Sequence, residues 1–317
     1  MLKRSKECFE RRKSKEEAFQ KNEGLDAEDG EAFSGELDEE DELLTNLVDA
    51  MGQLLKLFSE SFMPVFECQI VPVFAPYLSS DQPTALQIVA VCLIDDAIEF
   101  GGEGAIKYIP NALSAFLKGS QSDDLVLRQS SVYGIAQAAR AAPQIIAPQL
   151  TVIVPLLVAL VSDPTAAEED NEGVTENGIF ALGTILSNPI YRNHAWGGLA
   201  PEQVGSLWLK GLPLKADEKE AKLSSSHLCD LVEKGDVAIL GQQQCNLPEL
   251  FRVFSEIILS AAPNAVQGID NTSFPLVHPE TLQRVRALIK QLTNGRDPAS
   301  LKCIYGHLSS IQQSALC

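Results

Sequence analysis

Aromatic side chains are scarce in this chain. Phe, Tyr and Trp make up 6% of 317 residues, with only two tryptophans. The apolar share of 45% rests instead on Ala, Leu and Val, enough for a core and weighted toward helix. Bases are few as well: 25 against 43 acids, a net charge of −18. Such a surface repels phosphate backbones, which argues against nucleic acid, and it steers basic protein partners. No stretch alternates long enough to demand a strand. The seven cysteines (8, 68, 92, 229, 245, 303 and 317) form no CxxC pair. Several lie inside apolar helical patterns, so buried reduced thiols are expected. The longest apolar run, Leu150–Val161, has 12 residues and holds Pro155. It is too short to span a bilayer and reads as a buried helix. The highly charged N-terminus does not read as a signal peptide, so a cytosolic or nucleocytoplasmic protein is expected. GxxxxGK[ST], HExxH and GxSxG are all missing, and the chain reads as a non-enzyme with no cofactor and no metal.

Charge is unevenly placed. Residues 1–21 carry 8 bases and 4 acids, and residues 22–42 carry 11 acids and no base. The first stretch reads as a charged helix with Leu2, Phe9 and Phe19 as apolar contacts. Its bases, Lys3, Arg4, Lys6, Arg11, Arg12, Lys13 and Lys15, fit a targeting signal, a nucleic-acid patch or the solvated face of a helix. The second stretch reads as a disordered acidic linker, because like charges repel and few apolar groups offset the ordering entropy.

Helical spacing then takes over. The pattern predicts helices over 43–59, 62–78, 84–100, 105–118, 124–142, 147–161, 173–187, 201–212, 217–233 and 247–260. Two more are expected over 279–293 and 298–316, after an irregular stretch at 262–278. The stretch 122–142 sets the register. Leu127 over Leu86 gives a shift of 41; Val174 over Leu127 and Ala221 over Val174 each give 47. The preceding helices repeat too, through Ile70-Val71-Pro72, Tyr108-Ile109-Pro110 and Ile153-Val154-Pro155. Paired helices at this period are the mark of HEAT or armadillo arrays, and a proline in the first helix favours HEAT. The predicted fold is an all-α HEAT-repeat solenoid, an α-α superhelix with a long curved surface for protein binding. The repeats occupy 43–260, and 261–317 is an irregular helical C-terminal cap.

Particular segments go further. CLIDDAIE (92–99), VLRQSSVYGIAQ (126–137), VTENGIFALGTIL (174–186), LWLKGLPLKADEKEAK (207–222), HLCDLVE (227–233) and CNLPELF (245–251) resemble, in order, the C-terminal third of importin-β-type nuclear transport receptors, nearest the importin-five branch of the karyopherins. Residues 1–42 resemble that family's insertion ahead of its last repeats. The resemblance implies nuclear import of protein cargo, release by Ran-GTP, contact with FG-nucleoporins, and shuttling between cytoplasm and nucleus. It also implies that the principal Ran site and the best-described signal-binding surface lie in repeats outside this chain. A structural HEAT scaffold without a transport role is the alternative.

Polar residues on the second helix of each pair are the candidate partner contacts: Asp95, Asp96, Glu99, Glu176, Asn177, Asp230 and Glu233. An acidic stripe there suits Lys- and Arg-rich segments through charge-assisted hydrogen bonds. The competing expectation is packing between repeats, since Asp95 and Asp230 take the register position of Ala136 and Gly183. Arg128 is expected to hold repeats together, with Gln87, Thr175 and Lys222 in the matching places. Trp208 is expected in the core, and Trp196, in a Gly-rich loop, is left open. Gly101–Gly104 reads as a helix end rather than a phosphate loop, His227 and Cys229 as packing rather than metal ligands, and residues 168–170 as a solvated loop. The Asn271-Thr272-Ser273 sequon is discounted, because nothing points to secretion.

Overall fold

The structure, a computed structural model, describes residues 7, 10–15, 17, 27–261 and 275–316, with 27–38 described by backbone alone. Among the described residues there are helices and turns but no strand, the all-α class that the register predicts. The chain divides into two compact units, Met1–Ala142 and Pro143–Cys317.

In the first unit the helices are α1 (Ala27–Phe58), α2 (Thr84–Phe100), α3 (Ile109–Gly119) and α4 (Leu125–Ala141). On α1, Leu44, Val48, Met51 and Leu55 are buried at 4-3-4 spacing, and α1 packs on α2. Helix α2 packs in turn on α4, and α3 lies against α4. Each fully buried Leu or Met contributes about 1.5–3 kcal/mol. The start of α4 is built locally: Asp124 accepts the Leu127 N–H at 2.9 Å, satisfying one of the free donors of the first turn. Arg128 donates to the Ser122 carbonyl at 3.1 Å, so it braces the turn that enters its own helix.

The second unit holds α5 (Leu150–Val161), α6 (Glu172–Ser187), α7 (Pro201–Gly211), α8 (Glu218–Glu233), α9 (Leu247–Ser260), α10 (Pro279–Thr293), α11 (Pro298–Tyr305) and α12 (Ser310–Leu316). Helices α6, α8 and α10 form one row, with α5 and α7 packed on α6 and α9 meeting α7, α10, α11 and α12. Trp208 is fully buried as expected, and its Nε1 lies 2.5 Å from where a Cβ on Gly183 would stand. Only glycine lets α6 and α7 come this close. Trp196 is buried too, donating Nε1–H to the Tyr191 carbonyl at 3.0 Å.

Five features differ from the sequence expectations. Residues 27–42 are helical, continuous with α1, rather than a disordered linker. Arg11 makes a bidentate pair with Glu40, at 2.8 and 3.0 Å, and Arg12 pairs with Asp41, so bases from 10–15 offset part of the acidic repulsion. That also gives the basic helix a packing partner. The stretch 59–78 is a chain of short turns with a π-helical segment at Phe66–Ile70, because Pro64, Pro72 and Pro76 interrupt the backbone bonding. With the turns before α5, the helical stretch Pro143–Val161 reaches 19 residues, long and apolar enough by length and composition to cross a bilayer. Its Leu150, Ile153, Val154 and Leu157 are nevertheless buried. Finally, α10 stands on α8 as α8 stands on α6, so 279–293 continues the repeat rather than capping it irregularly. The stretch 298–316 is broken between Tyr305 and Ser310. Leu2, Lys3, Arg4, Lys6, Cys8, Phe9, Phe19, the residues 262–274 with the sequon, and Cys317 lie outside the described residues.

Candidate functional site

Three of the candidate acids sit on α2, and the fold treats each differently. Asp95 is 3% exposed. Its Oδ1 faces Gly134 of α4, where the Phe116 ring of α3 also arrives. Burial, then the neighbouring Asp96 charge, raises the Asp95 carboxyl well above the usual carboxylate range. Asp95 is therefore a packing residue, as its register position opposite Ala136 suggests, and a partner cannot reach it. Asp96 is half-buried and turned toward Gly52 of α1. Burial raises it to about 6, Asp49 of α1 adds to the rise, and Lys56 opposes it. Glu99 accepts the hydroxyl hydrogen of Tyr133 from α4.

The second unit repeats that division. Glu176 accepts the backbone N–H of Lys215 at 2.7 and 2.9 Å and of Ala216 at 2.7 Å. It thereby holds the turn into α8. Burial raises its carboxyl, and those same amides work against the rise. It lines an open cavity of about 400 Å³ with Ala166, Ala167, Glu169, Glu172 and Ile179. Asn177 is buried. Asp230 and Glu233 both receive Arg284 of α10, with the two Glu233 contacts at 2.8 Å. The guanidinium holds the Glu233 carboxyl below its usual range.

The acids thus belong largely to the joints between successive repeats. An arginine–aspartate tie between successive repeats joins Arg284 to Asp230, at a residue the sequence reading, centred on Arg128, did not name. Arg252 of α9 makes another joint, reaching the Leu212 carbonyl at 2.7 Å while pairing with Glu249 and Glu256. Two participants escaped the sequence reading. Asp49 lies 47 residues before Asp96, so extending the register to α1 finds it. Arg284 lies 54 residues after Asp230 and 51 after Glu233, and the longer connection before α10 hides it from a fixed shift.

The remaining candidates resolve as packing or turns. Gly101 caps α2, and Gly102 turns at φ +60°. Cys229 is buried, which pushes its thiol up to about 12. Among the described residues, no group of His, Cys, Asp and Glu has metal-binding geometry.

Comparisons with known proteins agree with this architecture. A family model described as Importin repeat 6 matches residues 3–80, which takes in the basic helix and α1. A probable importin-5 homolog of Dictyostelium discoideum is 27% identical over 226 residues, covering 70% of this chain and 21% of that protein. Importin subunit beta-3 of Saccharomyces cerevisiae is 26% identical over 225 residues, covering 68% and 20%. The chain therefore spans about a fifth of the length of these relatives. Among solved structures, Kap121p superposes over 96% of this chain and 24% of its own, with TM-score 0.62 and 19% identity. Kap121p bound to RanGTP gives TM-score 0.59 at 18% identity, over 87% of this chain and 23% of its own. Kap121p bound to the SUMO protease Ulp1p gives 0.60 at 21%, over 96% and 24%. The fold is that of the karyopherin HEAT repeats, and over about 70% of its length the chain is similar to importin-β-type karyopherins.

Proposed function

We propose that this chain is a non-enzymatic, protein-binding HEAT array that serves as part of an importin-β-type receptor for nuclear import. The similarity over 226 residues to an importin-5 homolog carries this reading. The net charge of −18 supports basic protein cargo as the partner class. Kap121p, a neighbour in fold, is known bound to RanGTP and to a protein, Ulp1p. By that likeness Ran-GTP governs cargo release, mainly through repeats outside this chain. FG-nucleoporins are the pore-side partners, and the receptor shuttles between cytoplasm and nucleus.

Within the array, the Asp96 and Asp49 edge of α1 and α2 is the proposed cargo contact of the first unit. The counterpart in the second unit is the cavity rimmed by Glu169, Glu172 and Glu176. Asp95, Asn177, Asp230 and Glu233 are joint or core residues in this reading. The test is binding of the 317-residue chain to an immobilised Lys/Arg-rich import-signal peptide and to an FG-repeat peptide. Both are expected to bind. Binding of the basic peptide should weaken steeply with salt and fall several-fold in an Asp49→Asn, Asp96→Asn double variant. A folded chain that retains neither peptide would overturn the proposal.

A further inference from the structure

Two consecutive carboxyls on α2 are pressed into glycines on opposite neighbours. Asp95 meets Gly134 of α4, and Asp96 meets Gly52 of α1. The fit is close enough that a Cβ on Gly134 would also stand 2.7 Å from the Phe116 ring. Asp95 Oδ1 is enclosed and has no hydrogen-bond partner among the described residues. An ionised oxygen left so carries the full cost of desolvating a charge, whereas a protonated carboxyl carries a much smaller one. Among the described residues, no cation offsets the burial of Asp95, whose carboxyl feels only burial and Asp96. On α2 itself stand Asp96 and Cys92, whose thiol is directed to Ser130 of α4 at 3.6 Å. From α1 come Asp49 and Lys56, which act on Asp96. Helices α4 and α3 contribute uncharged Gly134 and Phe116, and Tyr133 of α4 is engaged with Glu99. In the short turns packed on α2, Lys107 pairs with Glu67 and lies against the Tyr108 ring.

We propose that Asp95 and Asp96 form a proton-operated latch in the first unit. Protonated, they let α2 close on α1 and α4; when their protons pass to solvent, the buried like charges loosen that three-helix contact. The direction follows from linkage. Both carboxyls bind protons more tightly folded than unfolded, so their stabilisation is complete below pH about 4 and is lost as pH rises through the folded values. For Asp96 that loss centres at about 6, and for Asp95 it lies well above the usual carboxylate range. Asp96 is also the proposed cargo edge, whereas the buried Asp95 half of the latch does not depend on what the array carries.

Hydrogen exchange of the full chain, followed by mass spectrometry on peptides from α2 and α4, reads the contact directly. After correction for intrinsic exchange, protection in the wild type should fall about tenfold or more between pH about 5 and about 7.5. A tenfold fall is what a carboxyl with a folded value of about 6 produces over this range, because it is mostly protonated at pH about 5 and almost wholly ionised at about 7.5. Asp95→Asn, neutral at every pH, should keep only the part of the fall centred near pH 6, which belongs to Asp96. Asp96→Asn should remove only the part of the fall centred near pH 6. A wild type with pH-independent protection overturns the latch, as does an Asp95→Asn variant that loses protection as the wild type does. Should Asp95→Asn fail to fold, Asp96→Asn decides: a fall identical to the wild type's overturns it.

Discussion

At the scale of single residues, burial decides what each acid can do. Asp95 and Asp96 are adjacent in sequence, about 100° apart on the helix, and turned to different neighbours. One lies in the core and the other stays within reach of solvent. The same close fit makes Gly134 irreplaceable. Its Cβ would drive into Asp95 and the Phe116 ring, so Gly134→Ala should cost about 1–3 kcal/mol by overpacking. Urea unfolding measures this, and a change within about 0.5 kcal/mol, the range of a neutral surface substitution, would show that α4 can back away. Asp95 was legible only as an alternative, from the small residues that share its register position. Burial itself is not written in one helix; it depends on what the next repeat brings.

At the scale of elements, second helices within each unit are tied to their successors by polar side chains as well as apolar contact. Tyr133 to Glu99, Glu176 to the amides of 215 and 216, and Arg284 to Asp230 and Glu233 are three such ties. The most consequential tie joins the basic residues 10–15 to the acidic half of α1. Removing it with Arg11→Ala and Arg12→Ala should leave the acids of 27–42 to repel one another. The amides there are expected to lose about 1–3 kcal/mol of opening free energy, read by hydrogen exchange, with a drop in the helical circular dichroism signal. Unchanged exchange would mean that α1 holds its N-terminal half without the arginines. Helix positions were largely legible because apolar spacing is local: 84–100 and 279–293 agree with α2 and α10 at both ends. The acidic stretch was misread as linker because its partner bases lie 29 residues away.

At the scale of the whole chain, charge sets the conditions for stability. A net −18 opposes compaction through self-repulsion. Raising sodium chloride from about 0.01 M to about 0.15 M shortens the screening length from about 30 to about 8 Å. The thermal midpoint is therefore expected to rise by about 2–4 °C, as for roughly 1 kcal/mol in a chain of this size. A midpoint that falls with salt would mean that ion pairs such as Arg12–Asp41 and Arg284–Glu233 outweigh the repulsion.

The sequence by itself determined most of the helices, the 41–47 residue register and the HEAT class, which rest on spacing and composition, properties of neighbours along the chain; the likeness to importin-type receptors rests on the quoted segments. Only the tertiary structure decided that Asp95 is sealed while Asp96 is reachable, that Arg284 makes the arginine–aspartate tie, and that residues 27–42 are helical. Those outcomes rest on solvent exclusion and charge pairing between groups dozens of residues apart, which a one-dimensional pattern does not contain.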